Sequence, residues 1–241
     1  IERQLLQSNP ILESFGNCKT MRNNNSSRFG KYLKIFFEDG KIVGGSITNY
    51  LLEKSRVFTQ LSGERSYHIF YQILRGADED YTSGMYLRSP DQYRILSKSR
   101  SHDVRDAYMG GEGSSDEADF FAVKNAMSVC GFSDEAVKDT FRIVAAVLQL
   151  GNVRFDDVED GNVSSGRRAV GVTQAASKDF DAACKNLGLT PDSLSEAFRT
   201  RHLTVGGNTQ VLAVDAKSAD EAVVALAGTL YTWLFSAIVR M

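Results

Sequence analysis

Asn23-Asn-Asn-Ser-Ser-Arg-Phe-Gly-Lys31 is the stretch on which the reading of this chain turns. It gathers three amides, two hydroxyls and a guanidinium in one short loop, and a strand-like run begins directly behind it at Tyr32. In an α/β sheet the loop at a strand end is where nucleotide phosphates sit. Serine hydroxyls are small oxygen ligands of the kind Mg2+ accepts. Asparagine amides donate to phosphate oxygens, and arginine makes paired hydrogen bonds to a carboxylate or phosphate. The same composition also makes an ordinary solvated turn, because Asn and Ser dominate turns. On these residues alone the ordinary turn is the better reading, and the sequence around them reverses it.

The remainder of the chain sets the context. Of 241 residues, 24% are charged and 42% hydrophobic, the profile of a soluble globular protein. The 28 basic and 30 acidic side chains leave a formal charge of -2, and nothing in that balance calls for nucleic acid as a partner. Cys18, Cys130 and Cys184 are odd in number and far apart, so neither a disulfide framework nor a paired-cysteine metal knuckle is available. A reducing, intracellular compartment fits that usage. The sequence opens on Ile1 without a basic-then-apolar leader, and the expectation is an internal piece of a longer chain.

Secondary structure follows from pattern. Residues 1–15 read as helix interrupted at Asn9-Pro10, since Pro resists a helix interior. Residues 32–37 and 41–47 are rich in β-branched and aromatic side chains, and Asp39-Gly40 between them suits the two positive-φ positions of a tight hairpin. A helix is expected over 64–74, then an irregular stretch over 76–108 and a flexible break over 110–115. Ser115 caps a helix whose first turn carries Asp116, Glu117 and Asp119, which suits the helix dipole, and Gly131 ends it. Ser133 caps the next helix, which runs to Leu150. An acidic loop over 156–168 precedes helices over 174–187 and 191–199, the second opened by Thr190-Pro191. Residues 203–214 form a hairpin broken at Gly206-Gly207-Asn208. Last comes an apolar helix opened by the capping box Ser218-Ala-Asp-Glu221. Its uncharged run, 222–239, reaches the lower length for a membrane span, but Gly228, Thr229, Tyr231, Thr232, Trp233 and Ser236 within it, and the capping box before it, favour a buried core helix.

Asn23-x-x-Ser26-Ser27-Arg28 resembles switch I of the cytoskeletal motors, and the Phe29-Gly30-Lys31 that follows resembles myosin rather than kinesin. A later Ser99-Arg-Ser-His102 string lacks the preceding Asn-x-x-Ser and is read as chance. The flanks also resemble myosin, in order. Upstream stand Ser8-Asn-Pro-Ile-Leu-Glu-Ser-Phe-Gly-Asn17 and Lys19-Thr20. Downstream are Tyr50-Leu-Leu-Glu-Lys-Ser-Arg-Val57 and Gly63-Glu-Arg-Ser-Tyr-His-Ile-Phe-Tyr-Gln72. Phe141-Arg-Ile-Val-Ala-Ala-Val-Leu-Gln-Leu-Gly-Asn-Val153 and Leu230-Tyr-x-x-Leu-Phe235 follow. The spacings resemble those of unconventional myosins.

The resemblance implies a fragment of an α/β P-loop NTPase motor head, mostly helical, with a β-hairpin of the central transducer sheet. Residues 1–60 would carry switch I and that hairpin, 61–217 the upper actin-binding subdomain, and 218–241 a core helix leading to switch II, with no membrane span. The implied cofactors are ATP and Mg2+. Ser27 would ligate Mg2+, Ser26 would contact the γ-phosphate or the attacking water, and Asn23 would bond a nucleotide phosphate. Arg28 would pair with a switch II glutamate that this chain lacks, and Lys31 would support the loop backbone. The 203–214 hairpin would meet actin filaments through Asn208 or its neighbour Thr209. Family members usually place an acidic residue or a phosphorylatable Ser/Thr there, so Asn208 departs from the pattern. Light chains or calmodulin are expected only on a neck outside this chain. The expected setting is cytoplasmic, on the actin cytoskeleton. No GxxxxGK[ST] loop is present, so this piece alone is not expected to hydrolyse ATP. The competing functional class is an actin-binding protein with a decayed nucleotide site. Intact Asn23, Ser26, Ser27 and Arg28 argue for the motor. His68 is read as a packed helix histidine, Glu64 and Arg65 as members of ion pairs, Asp116 and Asp119 as a helix start, and Trp233 as core or subdomain packing.

Overall fold

The computed structural model describes residues 2–97, 115–159 and 168–240. The break at 110–114, the string at 99–102 and the centre of the acidic loop lie outside them. Helix α1 (Glu2–Gly16) leads into two short strands, β1 (Asn17–Cys18) and β2 (Ser26–Ser27), and then a long hairpin, β3 (Gly30–Glu38) and β4 (Lys41–Tyr50). Asp39 (φ 49°) and Gly40 (φ 74°) make the hairpin turn in the left-handed conformation anticipated for them. A 3-10 turn (Lys54–Val57) precedes α2 (His68–Gly76), α3 (Glu79–Gly84), α4 (Arg94–Ser97), α5 (Asp116–Val129) and α6 (Asp134–Leu150). The strand pair β5 (Phe155–Glu159) and β6 (Arg168–Val172), helices α7 (Ser177–Leu187) and α8 (Pro191–Arg199), the hairpin β7 (Thr200–Val205) and β8 (Asn208–Ala213), and α9 (Ala216–Arg240) follow. The described strands form four antiparallel pairs, each its own two-stranded sheet.

Helix α6 is the centre. From Val144 to Leu148 every residue is sealed from solvent, as a helix that is apolar all round must be. Around it pack α2, α5, α7 and α9. Aromatic contacts close the core: Phe120 lies 5.0 Å from Phe141, and Tyr67 stacks on Tyr231 at 5.0 Å. Each such buried ring contributes about 1.5–3 kcal/mol. Helix α9 is long and apolar enough by composition to cross a membrane, yet its Val223, Ala227, Tyr231, Leu234, Phe235 and Ile238 are buried within this core.

Several expectations change. Pro10 lies inside a continuous α1, because burial of Ile11, Leu12 and Phe15 just beyond it outweighs one lost backbone bond. Helix α2 starts at His68 rather than at residue 64. The backbone before it is committed to extended pairing, with Arg65 N donating to Lys19 O (3.0 Å) and Tyr67 bridging Cys18. The cap of α9 is Asp215, whose carboxylate accepts from Ser218 N at 2.7 Å, so the helix begins ahead of the capping box seen in sequence. The flanks of the acidic loop are strands, with Phe155 opposite Val172. Trp233 is 66% exposed: the buried stripe of α9 passes through residues 227, 231, 234 and 238, on the other side of the helix. Asp116 does start a helix, but it is also buried against Arg65 (2.7 Å) and Arg75 (2.6 Å).

Candidate functional site

The polar loop hangs from three fixed elements. Its near end follows Gly16, whose carbonyl accepts from Arg28 N at 2.8 Å. A Cβ at Gly16 would stand 2.4 Å from two carbons of the Phe29 ring, so only glycine permits this approach. The β1–β2 ladder, with Asn17 opposite Ser27 and Cys18 opposite Ser26, then closes the loop across 19–25. Cys18 in turn bridges Tyr67, which ties the loop to the entry of α2. On the far side Glu53 N donates to Arg28 O at 3.0 Å, and the Tyr67 hydroxyl donates to Glu53 O at 2.8 Å. Phe29 packs edge-on against Phe235 of α9, with centroids 4.8 Å apart.

Within the loop, short polar side chains replace regular backbone pairing. Thr20 Oγ1 donates to Asn23 O (3.0 Å) and accepts from Asn23 N (3.1 Å). Asn23 Oδ1 accepts from Asn25 N at 2.8 Å, an Asx turn. That bond uses the Asn23 oxygen and leaves its amide N–H groups turned to donation, on an exposed residue. Ser27 is also exposed; its hydroxyl donates to Phe29 O at 3.0 Å and keeps its oxygen lone pairs. Ser26 Oγ accepts from Arg28 Nη2 at 2.7 Å, so its own proton remains to be given.

Arg28 begins a chain of alternating charge. It meets Glu53 at 3.3 Å, Glu53 meets Arg56 at 3.3 Å, and Arg56 meets Glu64 at 2.5 Å. Burial tends to raise the Glu64 pKa, but the hydrogen bond and charge of Arg56, with Leu61 N, hold it below the usual carboxylate range. Beside this chain lies an open basin of about 460 Å3 whose lining includes Thr20, Met21, Arg28, Glu53, Arg56 and Glu64.

The sequence-predicted residues Asn23, Ser26, Ser27 and Arg28 are therefore brought together on one short, well-tethered loop. The donor set fits a Mg2+-bound phosphate: amide and guanidinium donors, a hydroxyl proton, and a hydroxyl oxygen with lone pairs to spare. Among the described residues no three His, Cys, Asp or Glu side chains are grouped to hold a metal. Lys31 was expected to support the loop backbone; its Nζ donates instead to Asn9 Oδ1 on α1, at 2.7 Å.

Glu53 and Asn25 were given no role from sequence. Glu53 stood in a quoted flank without a role, and it is the carboxylate that Arg28 meets within this chain. Asn25 donates to Glu13 Oε2 (2.9 Å) and accepts from Asn17 Nδ2 (2.9 Å) and from the ring of His68 (3.1 Å). A loop Asn flanked by assigned residues was the only signal available. Asn208 and Thr209 lie apart, at the start of the exposed strand β8, behind a turn made by Gly206 (φ 59°) and Gly207 (φ 82°). Thr209 Oγ1 shares a 3.0 Å hydrogen bond with Thr204 Oγ1 across the hairpin.

The family described as "Myosin head (motor domain)" matches residues 1–241. The chain belongs to the myosin head family. Unconventional myosin-Ia of Mus musculus is 42% identical over 246 residues, which take in the whole chain and 22% of that protein. Myosin IA heavy chain of Dictyostelium discoideum is 38% identical over 245 residues, again the whole chain, and 23% of its own length. Unconventional myosin-VI of Homo sapiens is 38% identical over 270 residues, the whole chain and 20% of that protein. The chain thus spans about a fifth to a quarter of these myosins. Membership implies the P-loop NTPase fold of that motor domain. Its described part is mostly helical with small antiparallel sheets.

Proposed function

We propose that this chain supplies the phosphate-sensing loop and part of the actin-binding surface of an actin-activated ATPase motor. The observation that carries the reading is the convergence of Asn23, Ser26, Ser27 and Arg28 on one tethered loop whose free donors and lone pairs match a Mg2+-bound phosphate. In this reading residues 1–60 bring the loop and a hairpin of the transducer sheet, 61–217 the upper actin-binding subdomain, and 218–241 a core helix leading toward switch II. The exposed apolar side chains of the hairpin, Tyr32, Ile35, Phe36 and Phe37 among them, support a place in a larger sheet.

Mg2+ bound with the nucleotide neutralises charge on the phosphate oxygens. The work of this chain is positioning and charge stabilisation, as in phosphoryl transfer generally. The Asn23 amide donates to a phosphate oxygen, and the Ser27 hydroxyl oxygen ligates the metal. The Ser26 hydroxyl, fixed by Arg28, presents its proton to the terminal phosphate or the attacking water. Arg28 serves two carboxylates in turn: Glu53 in the arrangement seen here, and a switch II glutamate when the site closes. The Asn208–Thr209 strand start meets actin filaments, in the cytoplasmic actin cytoskeleton. Loss of the terminal phosphate frees the loop, and the sheet transmits that change to the actin side.

The test is Arg28→Ala in a complete motor head that carries this chain. Single-turnover hydrolysis should slow by about a hundredfold or more, as for removal of one preorganised charge partner, while Mg-ATP affinity changes far less. Hydrolysis at the parent rate would refute the role given to Arg28.

A further inference from the structure

Asn25 has no part in the roles assigned above, yet it is the best-held side chain of the loop. Its partners come from three separate elements: Glu13 near the end of α1, Asn17 on β1, and His68 in the first turn of α2. The Asn25–His68 contact spans 43 residues of sequence. It is made possible by the Cys18–Tyr67 bridge and the Arg65–Lys19 backbone bond beside it. The amide orientation follows from the network. Glu13 offers a carboxylate and so faces Asn25 Nδ2, and that places Oδ1 against both Asn17 Nδ2 and the His68 ring. His68 must then present an Nε2–H, which fixes its tautomer. The ring is buried, and burial, followed by the charge of Arg65, holds its pKa well below the ordinary histidine value. The N-terminal end of α2 disfavours a positive ring as well.

We propose that Asn25 and His68 form a peg and socket that sets the shape of the polar loop, making His68 a positioning residue for nucleotide binding. This rests on the reading of the loop as the phosphate-sensing element. The mechanical link is short. Asn25 N is the donor that holds the Asn23 side chain in its Asx turn, and Asn25 directly precedes Ser26, where β2 begins. Withdrawal of the peg releases Asn23 on one side and the strand carrying Ser26 and Ser27 on the other. Because His68 rides on α2, and α2 packs on α1 and α5, the same contact ties loop position to the helical body.

The experiment uses a complete motor head carrying this chain, with His68→Gln, His68→Met, Asn25→Ala and the double variant His68→Met/Asn25→Ala. Glutamine keeps an N–H near the position of Nε2; methionine fills similar space without a donor. Hydrogen–deuterium exchange at backbone amides 23–27, without nucleotide, reads the socket itself. Loss of this one bond should speed exchange there by about tenfold in His68→Met, and by at least as much in Asn25→Ala, which also loses Glu13 and Asn17, with α6 amides unchanged. His68→Gln should stay within about threefold of the parent, and the double variant should exchange no faster than Asn25→Ala alone, because the His68 contact is already lost there. Affinity for a fluorescent Mg-ATP analogue should fall in parallel, by about tenfold in His68→Met, at least as much in Asn25→Ala, and little in His68→Gln. Parent-like exchange at 23–27 in Asn25→Ala, or additive effects in the double variant, would overturn the proposal. Should His68→Met fail to fold, Asn25→Ala and His68→Gln decide it on their own. A parent head that shows the exchange pattern but does not bind Mg-nucleotide leaves the socket standing and overturns the phosphate-sensing reading instead.

Discussion

Acidification should weaken this protein through His68, and the size of the effect follows from its burial. The ring is fully buried, and its folded pKa is lowered, first by burial and then by Arg65. The unfolded chain binds a proton at His68 once the pH falls through the ordinary histidine value of about 6.5, while the folded chain does not until much lower pH. The unfolded state therefore holds more protons in that window, so stability is fully present above it and drains away as pH falls. Between about pH 7.5 and about pH 5.5 this one group costs roughly 1.4 kcal/mol, provided the folded pKa lies below that range. With a urea dependence of ~3 kcal/mol per molar, that is a midpoint shift of about half a molar. The assay is urea unfolding at both pH values for the parent and His68→Gln, so that the other titrating groups cancel in the difference. The parent midpoint should fall about half a molar further than that of the variant. Equal falls would refute the neutral, buried assignment of His68.

Two further outcomes follow from other parts of the structure. Gly16→Ala places a methyl 2.4 Å from the Phe29 ring and 3.2 Å from Phe235, so it should destabilise by about 1–3 kcal/mol and speed amide exchange at Arg28. An unchanged urea midpoint with unchanged exchange would mean that the approach of Phe29 to Gly16 is not close. Asn208→Glu and Thr209→Glu add charge to an exposed strand start and should alter actin co-sedimentation by a larger factor than basal ATPase in a complete head. If both variants bind actin like the parent at low salt, the hairpin is not the contact.

What the sequence revealed was local. Ser115, Ser133 and Thr190 cap α5, α6 and α8 through hydrogen bonds to backbone N–H groups three residues on, as their type and spacing indicated. Asp39-Gly40 gave the hairpin turn for the same reason: two positive-φ positions have few suitable residues. What stayed hidden was set by distant partners. The start of α2 depends on backbone bonds to Lys19 and Cys18, and no pattern inside residues 64–74 reports them. Asp215 caps α9 ahead of a capping box that looked sufficient. The outward face of Trp233 follows from which stripe of α9 meets the core, and an almost uncharged helix does not disclose its stripe. The loop shows the same division. Asn23, Ser26, Ser27 and Arg28 were legible as a short motif. Glu53 lies 25 residues from Arg28, and His68 lies 43 residues from Asn25, so only the fold joins them.

The central claim is that the loop from Asn23 to Arg28 holds a Mg2+-bound phosphate, with Ser27 as the chain's ligand to the metal. Its most direct measurement is the Mg2+ dependence of ATP binding by a complete head, parent against Ser27→Ala, followed with a fluorescent nucleotide. The parent should bind far more tightly as Mg2+ is added, and Ser27→Ala should lose about tenfold in affinity at saturating Mg2+ while binding metal-free nucleotide as the parent does. A Ser27→Ala head whose Mg2+ dependence superimposes on that of the parent would contradict the account.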